Sequence, residues 1–246
     1  MEGASHPVLF PITELIYFHQ VGGPMDQRIW NDVEDYFTCN IVKQETSFSN
    51  ALRRQNEEGL PPINVPPTQR KLLYLLAKMI NARKILEIGA LGGYSTLWLA
   101  KALPEGGKIT TLEINAKRAG IIRDNILSAG LADKVEIILG PAKETLLEMA
   151  ERGASIFDMI FIDADKENNP EYFNLALRLS GPGTVIVIDN VVRNGKIIED
   201  GDGDPSVMGI RMSIEIAKKD ERIESTVIQT VSGKGYDGFM VVRVNN

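Results

Sequence analysis

Two short apolar runs of this chain end in acidic residues. Asp163 ends the first run and is followed by Asp165 and Lys166, and Asp189 ends the second run and is followed by Asn190. Carboxylate and carboxamide oxygens bind hard cations such as Mg²⁺, Mn²⁺ or Ca²⁺, whereas zinc prefers nitrogen and sulfur ligands. The two motifs therefore predict an oxygen-ligated metal site, with Lys166 beside it as a candidate base.

The apolar runs themselves, residues 159–162 and 185–188, predict two buried strands. In an open α/β sheet the carboxyl ends of the strands border the ligand crevice, so both motifs would face it. One such strand end is equally well explained by a helix cap or a surface ion pair. Two strand ends with the same chemistry favour a shared site.

A glycine-rich turn follows another predicted strand and opens a helix; it reads Glu87-Ile88-Gly89-Ala90-Leu91-Gly92-Gly93-Tyr94-Ser95. Glycines allow a tight turn and a close approach of the backbone to a ligand, and a helix N-terminus favours an anionic group. Leu91 stands at the second glycine of the dinucleotide pattern G-x-G-x-x-G, which disfavours a pyrophosphate ligand.

Glu113 ends the second predicted strand, roughly twenty residues after the glycine turn, where a carboxylate can accept hydrogen bonds from both ribose hydroxyls. Glu113 could instead cap the helix that begins near Ala116. Gly89, Gly93 and Glu113 together favour the ribose interpretation, and hence an adenosine ligand.

Alternating strands and helices dominate the chain after residue 84. The predicted strands are 85–88, 109–112, 135–139, 159–162 and 185–188, and the predicted helices are 95–102, 116–129, 141–150, 171–179 and 207–218. Near-continuous apolar strands joined by helices predict a parallel sheet covered on both faces. Residues 225–231 and 239–244, joined by 232–238, predict a C-terminal antiparallel hairpin. The expected fold is therefore α/β, a doubly wound Rossmann-like sheet that is mostly parallel.

The N-terminal part is predicted to be helical, with an apolar face formed by Ile29, Val33, Tyr36 and Phe37 and with Pro24 and Asp26 as start signals. The proline-rich stretch 59–67 should be an extended connector. We expect one domain over residues 1–246, with accessory helices and connector in 1–66 and the Rossmann-like core in 67–246.

Four aromatic residues and one loop have two interpretations each. Trp98 is expected in the core, and Trp30, Tyr17 and Phe18 either pack against neighbouring helices or line an acceptor pocket. The loop 193–206 is expected to be a solvated turn, with a lid as the alternative.

Composition limits the class of partner. The chain has 246 residues, is 43% hydrophobic and 24% charged, and carries a net charge of -6. An acidic chain disfavours nucleic acid and anionic membranes, because phosphate binding depends on clustered Lys and Arg. Cys39 is the single cysteine, His6 and His19 show no zinc-ligand spacing, and residues 1–27 contain no Lys or Arg. We expect a cytoplasmic protein without a signal peptide, a membrane span or a disulfide.

The chain resembles the cation-dependent O-methyltransferases that include caffeoyl-CoA and catechol O-methyltransferases. The resemblance rests on residues 85–95, 161–166, 189–190 and 194–195, and it extends over residues 62–244. It implies a class I methyltransferase fold, S-adenosylmethionine as the methyl donor and, as in the caffeoyl-CoA type, a homodimer.

The resemblance also implies roles for individual residues. Asp163, Asp189 and Asn190 would bind the metal, Lys166 would accept the proton, and Asn194 would contact the acceptor. Asp163 would also touch the methionine amino group of the donor. The remaining donor-binding residues would be Val65, Glu87, Gly89, Ala90, Gly93, Ser95, Glu113, Ala142 and Asp165.

The chain departs from the family pattern at several positions. Members often have Thr or Ser where Val65 stands and Gly where Arg70 stands, and Thr-Phe-Thr is commoner than Ala90-Leu91-Gly92. The thioester-recognition residues of the plant enzymes have no clear counterpart near the N-terminus, which argues against a CoA substrate.

A catechol fits the chemistry of the implied site. Three protein oxygens would leave three positions of an octahedral Mg²⁺ open, and two adjacent phenolic oxygens would occupy two of them. We therefore expect a small vicinal dihydroxyaromatic as acceptor, activated by the metal alone or with Lys166 as base. A nicotinamide-dependent oxidoreductase and a non-catalytic S-adenosylmethionine-binding protein are the alternatives.

Overall fold

The computed structural model describes residues 27–43, 45–153, 156–199, 201 and 203–245. Within these ranges the α-helices are α1 (Gln27–Phe37), α2 (Thr46–Glu57), α3 (Pro67–Met79), α4 (Tyr94–Ala102), α5 (Ala116–Ser128), α6 (Ala142–Glu151), α7 (Asn169–Arg178) and α8 (Pro205–Lys219). The strands are β1 (Lys84–Ile88), β2 (Lys108–Glu113), β3 (Val135–Leu139), β4 (Met159–Ile162), β5 (Val185–Asp189), β6 (Ile223–Ser232) and β7 (Gly235–Val244). A π-helical turn covers Thr38–Val42, and short 3₁₀ segments cover Lys166–Asn168 and Arg193–Ile198.

The described strands form one sheet in the order β3-β2-β1-β4-β5-β7-β6. β1 to β5 are parallel, and β7 runs antiparallel to both β5 and β6. The predicted mostly parallel sheet with a C-terminal antiparallel hairpin is thus confirmed. The strand order reverses between β1 and β4, and a ligand crevice is expected at the carboxyl ends of strands at such a switch point.

The central strands β1, β2, β4 and β5 are buried on both faces of the sheet. Leu86, Ile160 and Ile186 pack into the apolar layer that contains α7, while the alternate residues Ile85 and Met159 pack into the layer that contains α3 and α4. Successive strand residues point to opposite faces, so a strand that is covered on both sides is apolar throughout. This explains the near-continuous apolar runs in the sequence.

The predicted bounds of the loop in the C-terminal hairpin are wrong. We expected residues 232–238 to form the connection, but β7 already begins at Gly235, so that only Gly233 and Lys234 lie between the strands. Gly238 lies inside β7, where a Cβ atom would be 2.6 Å from the Ile228 carbonyl oxygen. A glycine inside a strand marks a close approach of another chain segment. In the sequence alone, such a glycine looks the same as a glycine that forms a turn.

The loop 193–206 is shorter than expected. Its first part forms the 3₁₀ segment Arg193–Ile198, and α8 begins at Pro205, where the Asp204 side chain accepts a hydrogen bond from the Ser206 N–H at 2.9 Å. Asp200 and Asp202 lie outside the described residues.

The predicted N-terminal helix is present as α1, and the connector between α2 and α3 is non-helical, as expected. The apolar residues Ile29, Val33, Tyr36 and Phe37 of α1 are 44–64% exposed. Trp98 is buried and contacts Phe48 edge to face, which confirms its place in the core.

Several N-terminal predictions lie outside the described residues, namely those on Tyr17, Phe18, Pro24, Asp26 and the two histidines. In the described part of the chain no helix is both long and apolar enough to cross a bilayer.

Candidate active site

A cleft of about 1070 Å³ lies at the carboxyl ends of the strands, around the switch point. Most of the predicted site residues line it, namely Val65, Gly89, Ala90, Ser95, Glu113, Ala142, Asp163, Asp165, Lys166, Asp189, Asn190 and Asn194. Glu87 and Gly93 were predicted with them but do not appear among the described residues that line the cleft. The sheet therefore brings together both acidic motifs and the glycine-rich turn.

The glycine-rich turn lies directly against the end of β4. Gly89 has φ +89°, and a Cβ atom there would be 2.5 Å from the Asp163 carbonyl oxygen. Gly93 has φ +80°, and its Cβ would be 3.0 Å from the Ile122 side chain. Gly89 thus allows the two strand ends to meet, whereas Gly93 serves the packing at the start of α4.

Glu113 fixes this turn through its carboxylate. Its Oε2 accepts a hydrogen bond from the Leu91 N–H at 3.1 Å, and its Oε1 accepts one from the Asn115 N–H at 2.9 Å. The cap of α5 is Asn115, whose side chain accepts from the Arg118 N–H. The capping alternative for Glu113 is therefore wrong, and its carboxylate faces the cleft with its position held by backbone N–H groups.

Glu87 lies behind the glycine-rich turn and is fully buried. Its Oε2 accepts hydrogen bonds from the hydroxyls of Thr96 and Thr111, the latter at 2.7 Å. Its Oε1 has no hydrogen-bond partner among the described residues. Burial raises the pKa of this carboxyl, and the nearby side-chain hydroxyls of Ser95, Thr96 and Thr111 act in the opposite direction.

The two acidic motifs together supply a pair of carboxylates. Asp189 is the last residue of β5 and is buried, and Asp163 follows β4 on the neighbouring strand. Burial, and next the negative charge of Asp163, raise the pKa of Asp189 to about 7, while the Lys166 ammonium acts in the opposite direction. Burial of the charged form is thus the larger cause of the shift, and repulsion between the two carboxylates adds to it.

Lys166 pairs with the first carboxylate. Its Nζ donates to Asp163 Oδ1 at 2.8 Å, and the lysine side chain is only 8% exposed. The predicted base therefore lies at the cleft wall, held by the residue that is predicted to link donor and metal.

The side-chain chemistry fits a hard cation. Asp163, Asp189 and Asn190 offer only oxygen ligands from the protein, as Mg²⁺ prefers. Across the described ranges no group of three or more His, Cys, Asp or Glu side chains is placed to hold a metal ion, but the predicted set contains just two acids and one carboxamide. The oxygen-only donor set at two neighbouring strand ends is the feature of this structure that suits such an ion.

Asp237 was missed by the sequence analysis. Its Oδ1 accepts hydrogen bonds from the N–H groups of Val192, Arg193 and Gly238 at 2.9–3.1 Å. It thereby holds the turn after β5, in which Asn190 and Asn194 have left-handed backbone conformations with φ +58° and +59°. The Asp-Gly pair in this region indicated a loop, and it gave no signal that the aspartate holds another segment.

Two cations were also missed as site residues: Arg70, which is buried, and Lys234, which is exposed. Both line the cleft. Burial lowers the pKa of Arg70 to about 10, and partial desolvation, with the charge of Arg70 next, lowers the pKa of Lys234 to about 8. Lys234 lies in the two-residue turn between β6 and β7. Arg70 was visible in the sequence solely as a departure from the family pattern.

Asp165 points to the neighbouring helix as well as to the cleft. The Tyr172 hydroxyl donates to Asp165 Oδ1 at 2.8 Å, and burial, with Asp165 next, raises the pKa of that hydroxyl. Ala142 is the first residue of α6 and lines the same end of the cleft.

The strand order, with its antiparallel C-terminal pair, and a switch-point cleft beside a glycine-rich turn and a strand-end glutamate are typical of a class I methyltransferase. Comparison with known proteins identifies the family: the O-methyltransferase family profile matches residues 40–243. The chain belongs to the O-methyltransferase family and is an O-methyltransferase. The resemblance inferred from the sequence is confirmed, and the nicotinamide oxidoreductase alternative is set aside.

Individual relatives agree with this membership. A catechol O-methyltransferase from Niastella koreensis is 42% identical over 89% of this chain and 100% of its own length. An O-methyltransferase from Bacillus cereus, solved in complex with SAH, is 45% identical with a TM-score of 0.87 over 89% of this chain and 100% of that one. The O-methyltransferase TomG from Streptomyces achromogenes, solved in complex with SAM, is 42% identical with a TM-score of 0.87 over 90% of this chain and 100% of its own.

Proposed function

We propose that this protein transfers the methyl group of S-adenosylmethionine to one hydroxyl of a vicinal dihydroxyaromatic and that it requires a divalent cation. The observation that carries the proposal is the position of Asp163, Asp189 and Asn190 on one cleft wall, beside the glycine-rich turn. The catechol O-methyltransferase named above supports the acceptor class, and the structures solved with SAM and SAH support the donor.

The donor would lie along the ends of β1, β2 and β4. Glu113 would accept hydrogen bonds from the ribose hydroxyls, because its carboxylate is held toward the cleft by Leu91 and Asn115. Gly89 and Ala90 would allow close approach of the backbone. Asp163 would bind the methionine amino group. The other residues proposed for this role are Val65, Ser95, Ala142 and Asp165, all of which line the cleft.

Asp163, Asp189 and Asn190 would hold the cation, which we propose to be Mg²⁺, with Mn²⁺ or Ca²⁺ as substitutes. Such an ion supplies Lewis acidity that favours the deprotonated acceptor hydroxyl and orients both acceptor oxygens. The protein contributes the geometry of the ligand set, since Asp189 is fixed by the N–H of Asn190 at 2.8 Å.

Side chains of the protein would remove the proton and position the acceptor. Lys166 Nζ, once it has released its own proton and is a neutral amine, would take the proton of the reacting hydroxyl, and Asn194 would contact the acceptor from the turn that Asp237 holds. The methyl carbon leaves the donor sulfur as it bonds to the acceptor oxygen. Holding both partners in line makes the displacement effectively unimolecular, which accounts for much of the expected acceleration.

We also propose that the protein is a cytoplasmic homodimer. The exposed apolar residues Ile29, Val33, Tyr36 and Phe37 of α1 support self-association, because soluble proteins rarely leave such a face uncovered. Analytical ultracentrifugation should find a dimer, and the Val33→Glu and Phe37→Glu variants should shift it toward monomer. A wild-type protein that stays monomeric at high concentration would contradict this assembly.

The decisive experiment is an acceptor screen with labelled methyl donor, run with Mg²⁺ and with EDTA. We expect methylation of catechols that is lost in EDTA and restored by excess Mg²⁺. Monohydroxylated analogues, in which one of the two adjacent oxygens is missing, serve as matched acceptors and should react poorly. Full turnover in EDTA would remove the cation from the mechanism, and silence over many catechols would remove the acceptor class.

A further inference from the structure

Arg70 is a buried cation whose donors are mostly unused. The side chain is 2% exposed, and its Nη2 donates to Asn64 Oδ1 at 3.3 Å. Its Nε and Nη1 have no hydrogen-bond partner anywhere in the described residues. A buried guanidinium with unpaired donors is costly, so a site that contains one is expected to receive an anionic ligand.

The guanidinium is rigidly placed. Its Cζ lies 3.9 Å from the centre of the Tyr94 ring, and Asn64 in turn donates from Nδ2 to Gln55 Oε1 at 2.8 Å. An aromatic face attracts a cation without using its N–H donors. The two free nitrogens of Arg70 are therefore available, and the group cannot easily turn to another partner.

Arg70 lies at the end of the cleft where α4 begins. Tyr94 is the first residue of α4, Gly93 precedes it without a capping side chain, and the first turn of α4 contains no acidic residue. The N-terminus of a helix carries partial positive charge, which favours an anion at this place. Val65 also lines the cleft and has no side-chain donor.

We infer that Arg70 binds the methionine carboxylate of the methyl donor. This inference rests on the donor identity proposed above. Asp163 lies within electrostatic range of Arg70, and it is the residue proposed to bind the donor's amino group. An amino acid carries its ammonium and its carboxylate on the same carbon, so a cation and a carboxylate placed close together match it. Arg70 thus helps to select the methyl donor, at a position where members of the family often have Gly.

Calorimetric titration of the full chain tests whether Arg70 binds the donor carboxylate. The titration is run without metal or acceptor, so that a carboxylate of the acceptor cannot contribute to binding. The probes are S-adenosylhomocysteine, its decarboxylated analogue, and 5′-methylthioadenosine, which lacks the whole amino-acid part. Arg70→Met should raise the Kd of S-adenosylhomocysteine by about 10- to 100-fold. The Kd values of the other two probes should change by less than about threefold.

Two further variants sharpen the result. Arg70→Lys keeps the charge and should retain part of the affinity for S-adenosylhomocysteine. Lys71→Met removes a cation from the next position, where Nζ lies over the Tyr74 ring at 4.3 Å, and should leave all three Kd values unchanged.

The inference is overturned if Arg70→Met weakens all three probes equally, which indicates a structural role, or weakens none. A wild-type protein that fails to bind S-adenosylhomocysteine would refute the proposed donor and this inference together. If Arg70→Met does not fold, the wild type alone decides: it should bind S-adenosylhomocysteine at least about tenfold more tightly than the decarboxylated analogue. Equal affinities would refute the role of Arg70.

Discussion

The two sides of the cleft are built differently. The donor side, which comprises residues 89–93 and Glu113, is held by backbone hydrogen bonds and close packing, as at Gly89 and at the Leu91 N–H. The acceptor side, which comprises Lys166 and residues 189–194 and meets the donor side at Asp163, is dominated by charge, and burial together with Asp163 raises the pKa of Asp189 to about 7. Substitutions on the donor side should therefore affect stability, and those on the acceptor side should affect chemistry.

The largest expected effect comes from Asp189→Ala. Loss of one cation ligand should lower kcat about 1000-fold, roughly 4 kcal/mol of transition-state stabilisation. The free energy of unfolding should not fall, because the folded protein loses an unfavourable buried charge. Turnover assays and denaturant unfolding check both parts, with donor affinity unchanged. Asp220→Ala is the matched control, since Asp220 pairs with Arg222 away from the cleft. Equal loss of activity in both variants would contradict the comparison.

Gly89→Ala should show the opposite pattern on the donor side. We expect the free energy of unfolding to fall by about 2–4 kcal/mol, because backbone strain of about 1 and overpacking of about 1–3 act together. Gly130→Ala is the control, since Gly130 has φ +68° but an added Cβ there would meet nothing within 4 Å. It should cost about 1 kcal/mol in chemical denaturation. Equal losses would show that contact with Asp163 does not restrict the turn.

Asp237→Ala tests whether packing also matters on the acceptor side. Three backbone N–H groups would lose their shared acceptor, so the free energy of unfolding should fall by about 1–3 kcal/mol. The KM of the acceptor should rise roughly tenfold as Asn194 loses its position, while the donor Kd stays unchanged. Asp237→Asn retains a carbonyl oxygen and should lie close to wild type. A rise in the donor Kd would break the division between the two sides.

The smallest effect is expected outside both sides, at Glu34→Ala. Glu34 Oε1 accepts hydrogen bonds from the Thr68 N–H and hydroxyl at the start of α3, the helix that carries Arg70. Loss of this cap should lower the free energy of unfolding by about 0.5–2 kcal/mol without changing kcat. Glu34→Gln should retain most of the stability. A large loss of activity in either variant would show that α1 acts on the chemistry.

The sequence predicted the sheet well because its information there is local. Apolar runs such as 185–188 indicate a strand whatever their neighbours are, and the acidic residues at their ends are read from the same few positions. The C-terminal hairpin was found, but its loop was placed wrongly. Gly238 serves a close contact with Ile228, and a glycine used for packing cannot be told from a turn glycine in one sequence.

What the sequence determined by itself is the order of strands and helices, the acidic strand ends and the family they indicate, since each depends on residues that are adjacent in the chain. Only the tertiary structure decided which side chains serve the cleft from elsewhere. Asp237 holds a turn that is remote in sequence, and Glu113 fixes the glycine-rich turn rather than capping α5. Arg70 is buried beside Tyr94, with two donor nitrogens that no described residue pairs. The physical reason is that hydrogen bonding and burial depend on which distant segments meet, and no local periodicity records that.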